Sequence, residues 1–594
     1  MPGSYHSRLS RFIRWRYKNV SEKWFVFVLS VLVGFLSGFI AVTLKNLTYL
    51  IQAALQPAIV NTDNWIYLVL PLIGLVLVHF YVKYVHKESI GQAVSSILFV
   101  LSKKGAKLSL KDCYTPLLTV PVTVGFGGSV GLLGSAIASG SAMSSQVSRL
   151  LHLDVKKRSL LIACATAGAI SSIFQSPIAA VIFALEVFSL DLTLLSLMPL
   201  LLASVSGVLT RYFFLGNELL FDFELQGGFE LRDTLYYVFL GIATGFGSIY
   251  FTKMYFAIQR LFARLTNPVH RLLIGGLAIG LLLYTIPPLY GEGFGLINNL
   301  LAGDALGALG ETPFDAYTDN AWVVIALLIG IIFFKAIAMT TTLAAGGTGG
   351  IIIPTLVVGS ALGNTVAQIL AVLGFGRDVY GSHFTLIGMA GLISGVIHAP
   401  LTSIFLIAEL TGGYELFVPL MITASISYVI TRGTLDYTIY TKELKAQGAL
   451  LTHDKDQNVL TLMKMDEVIE RNFIPLHPEM SLGEMLHSSV AKSSRNLFPV
   501  LDDEEKMVGV VLLDDIREMM FQTDLYDKRF VKNLMHAPPE YIFYEEDNMK
   551  AVMKKFQDSG AWNLPVIREG RYDGFISKSK MLTAYRRKLI YYAR

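Results

Sequence analysis

The chain has 594 residues, 53% of them hydrophobic and only 16% charged, with 51 glycines and a formal net charge of +4. Soluble domains use roughly 25% charged residues, so a wholly soluble protein is excluded, and no nucleic-acid partner is expected. Charge is sparse from Trp24 to Thr431 and dense from Lys442 to Arg594, which puts a membrane part first and a soluble part after it. Cys113 and Cys164 lack metal-ligand spacing, so neither a metal site nor a disulfide framework is expected, and both read as buried thiols.

The first 23 residues carry Arg8, Arg11, Arg14, Arg16, Lys18 and Lys23 ahead of an apolar run from Phe25 to Val42 that is too long for a signal peptide. The basic start reads as cytoplasmic by the positive-inside rule. If the charged C-terminal part shares that side, the number of full crossings is even. Apolar segments follow at 25–54, 65–85, 112–124, 157–170, 176–214, 233–262, 270–288, 321–342, 350–374, 383–410 and 414–431. Several are shorter than the roughly 20 helical residues that span a hydrocarbon core. Glycine-rich breaks at 125–134, 343–350 and 391–395 predict broken or re-entrant helices, which survive at membrane depth only inside protein or beside a wet cavity.

The membrane part is duplicated. Gly168–Val187 and Gly391–Leu410 align without gaps, matching Pro177 with Pro400 and Glu186 with Glu409. Upstream, the glycine-rich stretch from Gly127 matches that from Gly346, pairing Gly131 with Gly350 and Gly140 with Gly359. The halves meet near residues 215–232. Repeats with interrupted helices place a substrate site at their interface. A glycine-rich loop that opens a helix turns free N–H groups and the positive end of the helix dipole to one point, which suits an anion. Neither loop contains Lys or Arg, so such a site binds through backbone dipoles and weakly enough for conduction. The alternative reading, that the glycines of 125–142 serve close helix packing, stays open.

GGIIIP (Gly349–Pro354), GLLGS (Gly131–Ser135) and the paired proline-to-glutamate segments resemble the CLC family of anion channels and proton-coupled anion exchangers. The resemblance implies a polytopic α-helical membrane protein of two inverted repeats with many tilted and re-entrant helices, a homodimer with one anion pore per subunit. It places the anion on the backbone at Gly350, Ile351 and Ile352 and on the hydroxyl of Tyr440, with Tyr437 as the near miss. The inner signature matches only loosely, at His86–Val94, where Ser89 or Ile90 faces the pore. The gating glutamate falls on Leu133, between Gly131 and Gly134, or on Val130 in a shifted register. The internal proton glutamate falls on Val187. No acid lies between Asp112 and Asp154, and an apolar side chain cannot carry a proton.

Glu186 and Glu409 occupy matching positions, which points to one structural task in each half, pairing or accepting hydrogen bonds at a helix end. Lys335 and His398 read as a satisfied structural pair rather than a gate, and Glu88 as turned to the cytoplasm or paired with Lys83 or Lys87. In the tail, Asn496–Ile516 and Asn563–Met581 repeat a strand, a polar turn, a strand and a helix, resembling a cytoplasmic α/β CBS pair. Its nucleotide motif is split: Asp515 survives in the first copy and Ser577 in the second, so a structural tail is favoured over an adenine-nucleotide site.

The expected organisation is a basic segment at 1–23, a membrane domain at 24–445 with halves at about 24–215 and 233–432, a linker at 446–460, and CBS copies at 461–526 and 527–594. The expected function is passive chloride conduction across a cell or inner membrane, with both termini cytoplasmic, no catalytic residue, no cofactor and no metal. Two rivals remain: a proton-coupled antiporter using Glu88, Glu186 or Glu409, and a nucleotide or ionic-strength sensor of low conductance.

Overall fold

The computed structural model describes residues 13–60, 65–87, 93–103, 105–188, 193–216, 231–307, 320–375, 380–442 and 463–593, with residues 11, 91, 220, 221, 229, 444 and 460. It divides into two compact units, Met1–Gln447 and Gly448–Arg594. Ser89, Ile90 and Glu88 lie outside the described residues.

The first half of the membrane unit runs α1 (Glu22–Val60), α2 (Leu70–Tyr81), α3 (Ala93–Lys103), α4 (Lys111–Gly125), α5 (Leu133–Leu150), α6 (Val155–Phe174), α7 (Pro177–Val187) and α8 (Leu194–Leu215). The second runs α9 (Thr234–Ala263), α10 (Pro268–Thr285), α11 (Phe294–Leu301), α12 (Ala321–Ala344), α13 (Ile352–Val372), α14 (Gly381–Ile397), α15 (Pro400–Leu410) and α16 (Phe417–Thr434). Among the described residues, eight helical segments are long and apolar enough to cross a membrane. Others, such as α7 and α15 with 11 residues each, are too short to do so.

The apolar runs 176–214 and 383–410 are each two helices. The expected break at Gly391–Gly395 is absent, because both glycines lie inside α14. Their missing side chains admit α9: a Cβ would stand 2.5 Å from Thr244 Oγ1 at Gly391 and 2.3 Å from Ser248 Oγ at Gly395. The breaks fall instead at the repeat-related Gln175 (φ 58°) and His398 (φ 55°), left-handed residues that end α6 and α14. The prolines that follow at 177 and 400 supply the fixed φ and missing N–H that suit the first turn of α7 and α15. Cys164 is buried, whereas Cys113 is partly exposed, since it lies in the first turn of α4.

The two short helices cap each other across the repeat. Glu409 at the end of α15 accepts from Ile178 N (2.9 Å) and Ala179 N (2.8 Å) in the first turn of α7. Glu186 in α7 accepts from Leu401 N (3.3 Å), Thr402 N (2.8 Å) and Thr402 Oγ1 (2.7 Å) in α15. Each carboxylate meets the positive end of the opposite helix dipole and satisfies donors that helix geometry leaves without partners. This is the structural task that the sequence positions pointed to.

In the C-terminal unit, β1 (Ile469–Glu470), α17 (Leu482–Ser488), β2 (Leu497–Leu501), β3 (Met507–Leu512), α18 (Leu513–Ile516) and α19 (Val531–Leu534) precede β4 (Ile542–Phe543), α20 (Met549–Ser559), β5 (Asn563–Arg568), β6 (Arg571–Ser577) and α21 (Lys578–Ala593). The hairpins β2–β3 and β5–β6 are the repeated copies, pairing Leu497 with Leu512 and Asn563 with Ser577, and each has a bulge near its turn. Strands β1, β6, β5 and β4 form one sheet in that order. One core gathers around Phe498 and Val511, the other around Phe556 and Val566.

Glu409→Ala leaves the donors of Ile178 and Ala179 without their acceptor and is expected to lower stability by about 2 kcal/mol. Thermal unfolding in detergent measures it. Glu409→Gln, which keeps one acceptor, is expected to lose less.

Candidate functional site

The glycine loops of the two halves meet. Gly131 N–H donates to Gly350 O (2.9 Å) and Gly350 N–H donates to Gly131 O (2.6 Å), a reciprocal backbone pair immediately before α5 and α13. Glycine is required for this approach, since a Cβ at Gly350 would lie 2.8 Å from Gly134 N, and one at Gly134 would lie 3.0 Å from Gly350 Cα. Around the pair, the halves exchange further hydrogen bonds. Thr123 Oγ1 in α4 accepts from Thr348 N (3.2 Å), and its repeat counterpart Thr342 Oγ1 in α12 accepts from Ser129 N (3.3 Å). Within each half, Gly128 N and Gly347 N are bonded to the carbonyls of Thr123 and Thr342. The first N–H groups of α5 and α13 have no intrahelical acceptor and form the convergent positive ends expected of a dipole-based anion site.

A cavity of about 850 Å³ leads to these loops. Gly347, Thr348 and Gly349 line it from one half, and Ser135 and Ala138 of α5 from the other. Its wall includes Thr115 and Thr119, one turn apart on α4, whose hydroxyls are bonded to His86 Nδ1 and Thr115 O, and Lys107, Arg149 and His86 place basic groups around it beside Asp112, the one acid among the described lining residues. Such a wall raises the local anion concentration.

Ile351 and Ile352, at the start of α13, are both buried at 3% exposure, so they offer backbone rather than side chain. Tyr440 is buried beside Tyr255, and of these two it is the Tyr255 ring that lines the cavity. Tyr437 packs on Phe256 at 5.8 Å between ring centroids.

Leu133, on which the family resemblance puts the gate, opens α5 and lines a second, apolar cavity of about 10 Å³. Ten residues surround it as five repeat-related pairs: Leu133 with Ile352, Ile170 with Ile393, Phe174 with Ile397, Ala179 with Thr402, and Phe183 with Leu406. It therefore straddles the axis that relates the halves. One water needs about 10–15 Å³ and two or more polar partners, and the Thr402 hydroxyl there is already given to Glu186. Val187 ends α7 one turn beyond Phe183.

Lys335, buried in α12, donates to Leu289 O (3.1 Å) and Gly291 O (2.9 Å), which fastens the segment between α10 and α11. Lys335 and His398 are therefore not the satisfied pair expected: the imidazole of His398 packs edge-on against Tyr428 and its Nδ1 is buried without a hydrogen-bond partner. In the tail, Asp515 pairs with His536 at 3.4 Å, and Ser577 Oγ accepts from Lys580 N at 3.1 Å as a cap for α21. Among the described residues, no cluster of three or more metal-ligating side chains occurs.

The sequence reading missed an acid here. Glu292 Oε1 accepts from Leu132 N at 2.8 Å, so a carboxylate 160 positions away stands at the start of α5, where the local sequence has none. Its signal was present as an acid between glycines, YGEGFG, among apolar segments.

Duplicated helices whose N-termini converge on paired glycine loops define a membrane transporter with a dipole-lined ion path. The profile of the voltage-gated chloride channel family matches residues 73–432, and that of the CBS domain matches 465–521. The chain belongs to the voltage-gated chloride channel family, the CLC family, and carries a CBS domain. It is similar to a protein of Ralstonia nicotianae named as a putative ClcB-like chloride channel, 29% identical over 331 residues, 54% of this chain and 72% of the relative. A Citrobacter koseri protein named as the voltage-gated ClC-type channel ClcB is 27% identical over 283 residues, 47% of this chain and 64% of the relative. Among solved structures, a slow cyanobacterial Cl⁻/H⁺ antiporter superposes with TM-score 0.61 at 19% identity, covering 72% of this chain and 99% of its own. A eukaryotic CLC transporter superposes with TM-score 0.57 at 16% identity, covering 94% of this chain and 99% of its own. These establish the CLC fold.

Gly350→Ala forces apart the two loop backbones and is expected to cost about 1–3 kcal/mol, the range for overpacking, with a matching fall in thermal midpoint.

Proposed function

We propose that the protein is a passive anion channel selective for small anions such as chloride, working as a homodimer in a cell or inner membrane with both termini cytoplasmic. Anions enter the 850 Å³ cavity, meet the backbone at Gly350, Ile351 and Ile352, and leave past Gly131, Leu133 and Gly134. The observation that carries the passive reading is the dry apolar seal between Leu133 and the α7 helix that ends in Val187. Its cavity of about 10 Å³ is walled by Ile, Leu, Phe and Ala with one committed threonine hydroxyl, and no chain of waters can pass protons through it.

The antiporter reading draws no support from Glu186 and Glu409, whose oxygens hold the N-terminal donors of α15 and α7. The tail acts as a structural module in this reading, without nucleotide, because Asp515 and Ser577 already serve His536 and Lys580.

Leu133→Glu tests the assignment of the gate. A tethered carboxylate at that position competes with permeant anions at high effective concentration, so chloride flux at neutral pH is expected to fall by roughly tenfold or more and to recover in acid. A variant that conducts as the parent does at every pH contradicts the register.

A further inference from the structure

Glu292 stands where the two-fold exchange of hydrogen bonds between the loops fails. Ser129 and Gly131 bond across to the other half as Thr348 and Gly350 do, while Gly128 and Gly347 each bond within their own half and Val130 N–H turns back to Gly128 O. At Leu132 the exchange between the halves ends. Leu132 N–H is given to Glu292 Oε1 at 2.8 Å, while among the described residues no side chain is bonded to the equivalent N–H of Ile351.

The segment that carries this carboxylate is fixed from three sides. Lys335 holds the carbonyls of Leu289 and Gly291, Ser129 Oγ donates to Leu289 O at 2.7 Å, and the Tyr290 hydroxyl donates to Gly125 O. Gly291 (φ 57°) and Gly293 (φ 91°) flank the acid in left-handed conformations that turn the chain toward α5. Gly125 ends α4, whose first turn lines the wide cavity at Asp112. The cavity wall follows α4 as far as Thr119 and Val120, so Glu292, at the Gly125 end, lies just past the inner end of the cavity, roughly 20 Å along the helix from Asp112 and toward the opposite face.

A carboxylate on a helix N-terminus has the charge and acceptor geometry of an anion bound there, so the two exclude each other. A proton from bulk solvent, taken onto the carboxylate, removes the charge and weakens the charge-assisted bond to the amide. The charged groups that face it are Lys45 of α1 and Lys335 of α12, and Tyr290 is the titratable neighbour on its own segment. We infer that Glu292 is an acid-operated blocker of the anion path: ionised, it closes the Leu132 N–H to permeant anions, and protonated, it releases that donor to them. The inference rests on the passive anion path proposed above. It supplies from a distant segment the carboxylate that position 133 lacks.

The test uses the full chain in liposomes, with chloride efflux read under a potassium–valinomycin voltage clamp and pH set separately on each face. Lowering pH from about 7.5 to about 4.5 on the face opposite the wide cavity is expected to raise parent flux on the order of tenfold, the factor one charge-assisted hydrogen bond is worth. Glu292→Gln is expected to conduct at the acid level at both pH values, and Glu292→Asp to keep the acid response. A parent flux that is flat over that range overturns the inference without recourse to any variant. So does a Glu292→Gln protein that follows the parent's acid response. Uphill proton movement with chloride in the parent overturns the passive path instead, whereas passive flux with an unchanged acid response in Glu292→Gln overturns the blocker alone.

Discussion

Two hydrogen bonds between Gly131 and Gly350 determine where everything else in the membrane unit can be. Backbone at membrane depth has no water to turn to, so each loop amide must find an acceptor inside the protein. The two loops find each other. Pairing them fixes the starts of α5 and α13 side by side and aims both helix dipoles at the same neighbourhood. Side chains would prevent the approach, which is why the sequence is bare there.

The same solution recurs at every level of the repeat. Thr123 and Thr342 each serve the opposite loop, and Glu186 and Glu409 each cap the opposite short helix. Five repeat-related pairs, apolar but for Thr402, then close the interior around the axis. Exchanged hydrogen bonds make each half incomplete without the other, so the duplicated halves form one cooperative body. The exception is Glu292, where one loop takes a charge that the other does not.

Much of this was legible in the sequence because its signals were local or repeated. Gly131 with Gly350 and Glu186 with Glu409 were matched by alignment alone; the two glycines prove to pair across the axis, and the two glutamates prove to cap opposite ends of the α7 and α15 pair. The reading of Leu133 and Val187 as apolar substitutes came from the family resemblance, and the structure sets Leu133 against a small apolar cavity. Other features depend on tertiary proximity that no spacing encodes. Glu292 reaches Leu132 across 160 residues. Gly391 and Gly395 read as a helix break, yet they are packing notches for Thr244 and Ser248, because glycine in a helix signals either one until its neighbour is known. The hydroxyls of Thr115 and Thr119 along the cavity were hidden in an apolar segment, and Tyr255 lines the cavity beside Tyr440.

The central claim is that anions cross this protein without protons. The most direct measurement records chloride and proton electrodes together during efflux from proteoliposomes held at a set voltage. Chloride loss with no uphill proton movement is the predicted result, and it makes the apolar seal beneath Leu133 its physical cause. Proton movement in fixed ratio to chloride would contradict the account and require a proton path that avoids that seal.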